Sequence, residues 1–449
     1  MKKLTRYILI FCLISGLSGF SHAKEEKPVK AKNVIYYIGD GMGPQSLGLL
    51  VYYARLAPNS IYEDRTSNTE KFLKEAALGL MITNTESTIV TDSAASATQF
   101  SSGQYSLPHR VGIDFEGSQT ITIMEKAKKR GKSTGLVTTS FLQDATPAAF
   151  VAHQISRKNF ADISAELINS GTDIMLGGGK KHMSSAELIK AAKDKGYSLA
   201  YNKAQINNLS GKIIGLFGEE GTPYAIEGNS EKPNLLEMSK KAIEELRTNK
   251  KGFLVMIEAG KIDWAEHSND PGLILHEMIE FDKTLGYLME YVKNNKDTIL
   301  IVTADHETGG FGFNYRNSLP SDNKEGVYGG SYFVTFDILD KLYKQNRSYE
   351  DMGNEYAAAS QKEKTPSALA KILSQGLGRN ISADFVEKYN SDIAKIQAAI
   401  AREDGIVFAT NAHTSTPVMV MTYGHKMSGY AGLYHTTDLA KKIMFSLGL

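Results

Sequence analysis

Mostly apolar runs that favour β-strands recur along this chain, and amphipathic helical patterns separate them. The runs predicted to form buried strands are 33–38, 78–82, 132–138, 253–257, 298–303 and 418–421. Because such runs are apolar on both faces, they are typical of a parallel sheet that helices cover on each side. The sequence therefore predicts an α/β fold with a largely parallel central sheet and helices on both faces. A further helix is predicted to run from Asp144 towards Arg157.

The alternation of strands and helices stops between about Phe311 and Asp404. Polar, glycine- and asparagine-rich stretches and amphipathic helices take its place there. This pattern predicts an insertion over residues 311–404, before the last core strands of one domain that spans residues 24–449.

The N-terminus has the pattern of a secretory leader. A basic start precedes a mostly apolar run over residues 7–20, and residues 21–23 supply the small side chains that a signal peptidase reads. The apolar run is shorter than the roughly 20 residues that span a bilayer. Residues 1–23 are therefore predicted to be a cleaved signal peptide, and the protein is predicted to be periplasmic or secreted.

The net charge and the cysteine content limit which partners and which metal ligands the mature chain is predicted to have. The full chain has a formal net charge of +1, and loss of the three basic residues of the leader gives −2 (+1 − 3). Neither nucleic acid nor an anionic membrane is therefore predicted as a partner. The only cysteine, Cys12, lies in the leader, so the mature chain has no disulfide and no thiolate metal ligand.

Acidic and histidine side chains cluster near the ends of the predicted strands: Asp40, Glu258, Asp263, His267, Asp305, His306 and His413. Open α/β sheets place ligands at the carboxyl ends of their strands. Asp263 and His267 are four residues apart and would share one helix face, a spacing that suits either a metal site or an ordinary surface contact. Mixed nitrogen and oxygen ligands suit zinc, whereas oxygen ligands alone suit magnesium.

The stretch Thr91–Thr98 begins like a helix, because Thr91 or Asp92 can cap the first turn and alanines follow. This places the Ser93 hydroxyl beside the free N–H groups of a helix N-terminus, where an anion is stabilised. Ser93 is a candidate nucleophile if a nearby group stabilises its alkoxide. The alternative is that the cluster is only a helix cap.

Together these segments resemble the alkaline phosphatases of the bacterial, metal-dependent type. The matching motifs are Gly39–Gly43, Thr91–Thr98, Asp144–Ala149, Ser156-Arg157, Glu258–His267, Thr303–Glu307 and Ala412–Thr414. They follow the order of that family from Asn33 to about residue 435. Each motif is modest by itself, but seven in the same order are highly specific.

The resemblance implies two zinc ions and one magnesium ion per subunit. The ligands of the first zinc would be Asp263, His267 and His413, and those of the second Asp40, Asp305 and His306. Asp40 would also bridge to the magnesium, which it would share with Thr146 and Glu258.

The resemblance also implies the reaction. Ser93 would attack a phosphate monoester at alkaline pH and form a covalent phosphoserine, while Arg157 would bind two phosphate oxygens. Zinc would lower the pKa of Ser93 and stabilise the leaving alkoxide. The substrates would be small phosphate monoesters, and a homodimer would be usual for the family.

Trp264 departs from the family pattern. Its position is lysine in the best-known enterobacterial form and histidine in vertebrate forms, and tryptophan cannot supply that charge. Asp144, by contrast, matches the enterobacterial aspartate near the magnesium. The pair leaves the third-site metal preference and the rate of phosphate release open, and Trp264 could instead serve only for packing.

Two other readings remain open. One is a phosphodiesterase or sulfatase-like hydrolase of the same superfamily, which Arg157 disfavours because its fork matches the two free charges of a monoester dianion. The other is a non-catalytic periplasmic protein that binds metal or phosphate. The histidines without a matching motif are treated as structural or surface residues: His109, His153, His182, His276 and His435.

Overall fold

A ten-stranded sheet forms the centre of the protein in a computed structural model that describes residues 29–228, 230–314, 334–425 and 427–449. The predicted leader, residues 1–23, lies outside the described residues. The strands are β1 Asn33–Gly39, β2 Ala77–Ile82, β3 Ser133–Phe141, β4 Ile174–Gly178, β5 Ser198–Ala200, β6 Ile213–Leu216, β7 Phe253–Ala259, β8 Thr298–Thr303, β9 Glu307–Thr308, β10 Gly312–Phe313, β11 Ile406–Val407, β12 His413–Thr414, β13 Val418–Gly424 and β14 Gly432–His435.

The strand order of the large sheet is β14-β2-β13-β8-β1-β7-β3-β4-β6-β5. Within it only β13 runs antiparallel to its neighbours, β2 and β8. The predicted largely parallel sheet is therefore confirmed. Beyond the six predicted runs, the sheet also contains β4, β6 and β5 at one end and β14 beside β2 at the other. The short ladders β10·β11 and β12·β9 were not predicted either.

Helices cover both faces of the sheet. They are α1 Pro44–Leu56, α2 Asn68–Glu75, α3 Ser93–Ser102, α4 Ile123–Lys129, α5 Ala145–Ala148, α6 Phe160–Ser170, α7 Lys180–Met183, α8 Ala186–Asp194, α9 Lys203–Asn207, α10 Leu235–Leu246, α11 Lys261–His267, α12 Pro271–Asn294, α13 Asp337–Lys344, α14 Tyr349–Ala358, α15 Pro366–Leu377, α16 Ala383–Lys388, α17 Ile393–Glu403 and α18 Thr436–Leu447. Helices α3, α4 and α18 pack together on one face, and α10 and α12 pack on the other. None of the helices in the described ranges is both long and apolar enough to cross a membrane.

Strand β1 shows why its sequence is apolar at consecutive positions. Tyr36 points to one face, where its ring packs edge-on against Phe100 at 5.5 Å and Phe150 at 6.0 Å. Tyr37 points to the other face, where its ring stacks on Phe281 of α12 at 4.5 Å. Successive side chains of a strand alternate between faces, so a strand covered on both sides needs apolar residues throughout.

The helix predicted to run from Asp144 towards Arg157 is wrong. Helix α5 ends at Ala148, and the chain then turns. A two-way backbone pairing replaces the helix: Val111 N–H donates to the Gln154 carbonyl at 2.9 Å and Gln154 N–H donates to Val111 at 2.8 Å. This tertiary pairing overrides the helical preference of the alanines before it.

Helices α13 to α17 lie between residues 334 and 404, and a second apolar core forms among the last four of them. It is made by Tyr349, Met352, Leu369, Ala370, Leu373, Leu377, Val386, Ile396 and Ile400. Strands β10 and β11 pair beside this region, with Phe313 opposite Ile406. The boundaries of the proposed insertion at 311 and 404 stay a prediction.

Glu277 is a buried carboxyl group on α12, with 3 % of its surface exposed. Its Oε1 accepts a hydrogen bond from Ala225 N at 2.8 Å. Burial raises the pKa of Glu277 to about 7, although Ala225 and Lys261 oppose the rise. Between an unfolded pKa of about 4.3 and this value, the folded state keeps a proton that the unfolded state releases. Rising pH therefore destabilises the fold through this group.

We expect Glu277→Gln to remove this pH dependence, because glutamine does not ionise. Relative to the parent, its free energy of unfolding should gain about 2 to 3 kcal/mol between about pH 5 and about pH 8. Urea denaturation at the two pH values measures the gain. The exposed Glu290→Gln on the same helix is the control and should follow the parent. A Glu277→Gln variant with the pH dependence of the parent would contradict this account.

Candidate active site

Four parallel strands that lie side by side deliver the candidate residues to one edge of the sheet. Strands β8, β1, β7 and β3 are consecutive in the sheet. In register, Ile38 near the end of β1 lies opposite Thr303 on one side and Glu258 on the other. Asp40 and Asp305 follow directly, so the carboxyl ends of these strands converge as the sequence predicts.

Ser93 is the first residue of α3. Its preceding residue, Asp92, caps the helix, because Asp92 Oδ1 accepts a hydrogen bond from Ala95 N at 3.0 Å. The whole of α3 is buried, which holds the Ser93 hydroxyl in one place. Ser93 Oγ lies 3.1 Å from Nε2 of the predicted metal ligand His306.

Asp40, Asp305 and His306 form the first group that could hold a metal ion, with ligand atoms within 4.8 Å of one another. His306 Nε2 lies 3.1 Å from Asp305 Oδ2 and 3.6 Å from Asp40 Oδ1. These two carboxylate oxygens are buried and accept no hydrogen bond from the described residues. Buried oxygens without a donor fit a cation, because an unpaired buried charge is otherwise costly.

Asp263, His306 and His413 form the second such group, so His306 belongs to both. His413 Nε2 lies 3.8 Å from Asp263 Oδ1. The predicted ligand His267 lies beside this group, with its Nε2 3.1 Å from His413 Nε2 and 3.4 Å from Asp263 Oδ2. The structure thus brings the predicted trio together and places His306 between the two groups.

Hydrogen bonds at the outer ring nitrogens fix how the imidazoles face the site. His267 Nδ1 lies 2.7 Å from the Asn411 carbonyl, and His413 Nδ1 lies 2.9 Å from the Thr91 carbonyl. A carbonyl only accepts, so both Nδ1 atoms must donate, and in the neutral rings each Nε2 carries a lone pair. Two such lone pairs 3.1 Å apart repel unless a cation lies between them, and this arrangement fits a metal ion.

Thr308 fixes the orientation and the tautomer of the third imidazole, that of His306. Its hydroxyl donates to Asp263 Oδ1 at 2.7 Å, and it therefore accepts from His306 Nδ1 at 3.1 Å. In the neutral ring, His306 Nε2 then carries a lone pair towards Ser93. The sequence analysis missed Thr308, because its position depends on the β12·β9 pairing, in which it lies opposite His413.

The charges at this edge shift the ionisation of the acids. Burial raises the pKa of Asp40 well above its ordinary range, and the neighbouring Asp305 and Asp263 raise it further. Burial and Asp144 raise the pKa of Glu258 to about 8. Burial also favours a higher pKa for Asp305, but the charge of a protonated His306 and the hydrogen bond from Gly41 N outweigh it and lower the pKa to about 2. The acids cannot all be charged without added positive charge, as a metal ion would supply.

The remaining predicted magnesium ligands lie on the β3 and β7 side of Asp40. Thr146 Oγ1 donates to Asp40 Oδ2 at 3.3 Å. Glu258 accepts hydrogen bonds from the hydroxyls of Thr138 and Ser140, and its other oxygen is buried without a partner among the described residues. This set offers oxygen atoms only, the chemistry that suits magnesium. Sequence reasoning missed Thr138, the last residue of the predicted strand 132–138, and Ser140, two residues further on.

Arg157 lies between two carboxylates. Its Nη2 donates to Asp144 Oδ1 at 3.0 Å, and its Nη1 donates to Asp92 Oδ2 at 3.4 Å. Burial alone would lower the pKa of Arg157, but Asp144 and Asp92 raise it above its ordinary value, so the guanidinium stays charged. Asp92 Oδ2 also accepts from His109 N at 3.0 Å. The sequence analysis had set His109 aside, and the structure places it at this edge of the site.

A family model described as Alkaline phosphatase matches residues 31–449. The chain belongs to the alkaline phosphatase family. This confirms the resemblance read from the seven motifs. The chain is 31% identical to alkaline phosphatase 4 of Bacillus subtilis over 438 residues, which cover 94% of this chain and 90% of the relative.

Solved alkaline phosphatase structures share the fold. The cold-active enzyme from Shewanella sp. matches with a TM-score of 0.80 and 28% identity, covering 92% of this chain and 99% of that chain. The Thermus thermophilus alkaline phosphatase matches with a TM-score of 0.84 and 26% identity, covering 96% of this chain and 94% of that chain. The central sheet with helices on both faces is thus the fold of alkaline phosphatases.

We expect Thr308→Val to lower the affinity of this alkaline phosphatase for divalent cations about 10- to 100-fold. Valine keeps the shape but removes the hydroxyl that orients Asp263 and His306. Calorimetric titration of Zn²⁺ into the metal-free protein measures the affinity. Thr308→Ser keeps the hydroxyl and should bind almost as tightly as the parent. Equal affinities of the valine and serine variants would refute the role given to Thr308.

Proposed function

We propose that this protein, a phosphomonoesterase of the alkaline phosphatase family, acts at alkaline pH through a covalent phosphoserine on Ser93, with two zinc ions and one magnesium ion per subunit. The observation that carries the proposal is the position of Ser93 Oγ. It lies 3.1 Å from Nε2 of His306, the residue that the two candidate metal groups share.

The ligand sets proposed from the sequence remain our assignment. One zinc ion is assigned to Asp263, His267 and His413, the second to Asp40, Asp305 and His306, and magnesium to Asp40, Thr146 and Glu258. Inward lone pairs on the imidazoles and unpaired buried carboxylate oxygens support these sets. When bound, the ions lower the pKa of an attached hydroxyl and stabilise the charge that develops on the leaving oxygen.

Ser93 and Arg157 act directly on the substrate in this proposal. The Ser93 oxygen forms a bond to phosphorus, the bond from phosphorus to the ester oxygen breaks, and the alcohol leaves. Water then hydrolyses the phosphoserine and releases inorganic phosphate. The Arg157 fork binds two phosphate oxygens, while Asp92 and Asp144 orient the guanidinium and keep it charged. Phosphoryl transfer depends mainly on such positioning and charge stabilisation.

The same evidence disfavours the two alternative functions, a non-catalytic binding protein and a phosphodiesterase or sulfatase-like hydrolase. A metal- or phosphate-binding protein without catalysis needs no nucleophile, yet Ser93 is held at a capped, buried helix start between the ligands. A diester leaves only one free charge for the Arg157 fork. Small phosphate monoesters are therefore the proposed substrates. A periplasmic or secreted location, after cleavage at residue 23, and a homodimer also remain proposals.

We expect Ser93→Ala to lower turnover about 10³-fold or more, because the variant has no oxygen to carry the phosphoryl group. Its zinc content should stay close to that of the parent. A chromogenic monoester assay and metal analysis measure the two quantities on the same sample.

Ser102→Ala is the matched control for this variant. It lies at the other end of α3, where its hydroxyl donates to the Thr98 carbonyl at 2.6 Å, and it should leave turnover within a few-fold of the parent. Turnover in Ser93→Ala equal to that in Ser102→Ala would remove Ser93 from the mechanism.

Thorough chelation with EDTA should abolish activity, because the ligand sets alone cannot neutralise the charge of the transferring group. Zn²⁺ added together with Mg²⁺ should restore it, and metal analysis of the restored protein should return two zinc and one magnesium per chain. Activity that persists in the metal-free protein would be incompatible with the proposed mechanism.

A further inference from the structure

Four aromatic rings lie together on segments that adjoin the residues of the candidate active site, and we call them the aromatic patch: Phe141, Phe160, His182 and Trp264. Phe141 is at its centre. Its ring packs edge-on against Phe160 at 5.6 Å, and it lies 5.5 Å from His182 and 6.5 Å from Trp264. His182 and Phe160 are themselves 4.4 Å apart. The rings come from four separate segments, so only the tertiary structure assembles them.

Short connections tie the aromatic patch to the candidate active site. Phe141 ends β3, and its carbonyl accepts a hydrogen bond from Asp144 N at 2.8 Å. The Asp144 carboxylate in turn holds Arg157. Phe160 follows Arg157 by three residues, and Trp264 directly follows the proposed ligand Asp263. The aromatic patch is therefore carried by segments that directly adjoin Asp144, Arg157 and Asp263.

The rings of the aromatic patch are partly exposed, whereas the tyrosines and phenylalanines that pack between the sheet and its helices are buried. Trp264 is also held from behind. Lys261, a residue that is 5 % exposed, places its Nζ 4.0 Å from the centre of the Trp264 ring and 3.7 Å from the centre of the Tyr224 ring. This close contact holds the indole in one position before a ligand binds, which lowers the entropy cost of binding.

The aromatic patch also stays uncharged under the conditions of the proposed reaction. Burial lowers the pKa of His182 below its ordinary value, and the nearby Lys181 lowers it further. At neutral and alkaline pH its ring is therefore neutral and available for stacking, like the phenylalanines beside it.

We propose that the aromatic patch binds the organic group of the substrate, and that it favours phosphate monoesters whose organic group is a planar aromatic ring. The inference rests on the proposed function, because it takes the phosphate to be held at Ser93 and Arg157. A planar ring gains offset-stacked and edge-to-face contacts with these side chains, whereas a short alkyl group gains little. Stacking accepts any flat ring, so aryl esters and nucleotides share the required chemistry.

Competitive inhibition by two phosphonates tests this inference without the differences in leaving-group reactivity that complicate rates. In benzylphosphonate and ethylphosphonate a CH₂ group stands for the ester oxygen, so neither compound is hydrolysed. The parent enzyme should bind benzylphosphonate more tightly than ethylphosphonate. Phe160→Leu and Trp264→Leu should each weaken benzylphosphonate about three- to tenfold, while inhibition by ethylphosphonate and inorganic phosphate stays within about twofold.

Two matched variants complete the design. Phe160→Tyr keeps the ring and should retain the parent's preference. Phe445→Leu removes an exposed ring on α18, outside the aromatic patch, and should change the inhibition constant of neither phosphonate. Equal binding of both phosphonates by the parent, or parallel losses for both in the leucine variants, would overturn the proposal and leave the aromatic patch a packing cluster. Absence of inhibition by inorganic phosphate would instead overturn the proposed function.

Discussion

Mutual repulsion among buried carboxylates is the constraint on which the rest of this site depends. Asp40, Glu258 and Asp305 lie at one sheet edge with little or no exposure to water. Burial and neighbouring carboxylates raise the pKa of Asp40 and Glu258, whereas protonated His306, the Gly41 N–H and His413 lower that of Asp305. A protein keeps such an arrangement when bound cations supply the missing positive charge. The same electrostatic environment would stabilise the charge of a transferring phosphoryl group.

Asp92 holds both the helix that carries Ser93 and the guanidinium of Arg157. One of its oxygens caps the helix that Ser93 begins, and the other accepts hydrogen bonds from Arg157 and from the backbone of His109. A single carboxylate thus fixes the distance between the attacking oxygen and the group that orients the phosphate. Precise placement of this kind accounts for much of the rate of phosphoryl transfer.

Local sequence carries most of the fold but not all of it. Apolar runs identify the strands of the sheet centre, because a strand buried on both faces must be apolar at every position. The helix predicted after Asp144 fails because the pairing of Val111 with Gln154 turns the chain. Strand β14 and the ladder β12·β9 were missed, since their few residues carry no period of their own and form only against distant partners.

The sequence by itself determined the fold class, the family and the identity of the candidate ligands, because each depends on residue types in a fixed order near predicted strand ends. The tertiary structure decided how these groups face one another. The tautomers of His267 and His413 follow from carbonyls more than a hundred residues away in the chain. The contacts of Thr308 with Asp263 and His306, and those among the rings of the aromatic patch, likewise form only when the chain is folded. Hydrogen-bond direction and ring contact are properties of distance and angle, which no local pattern of residues encodes.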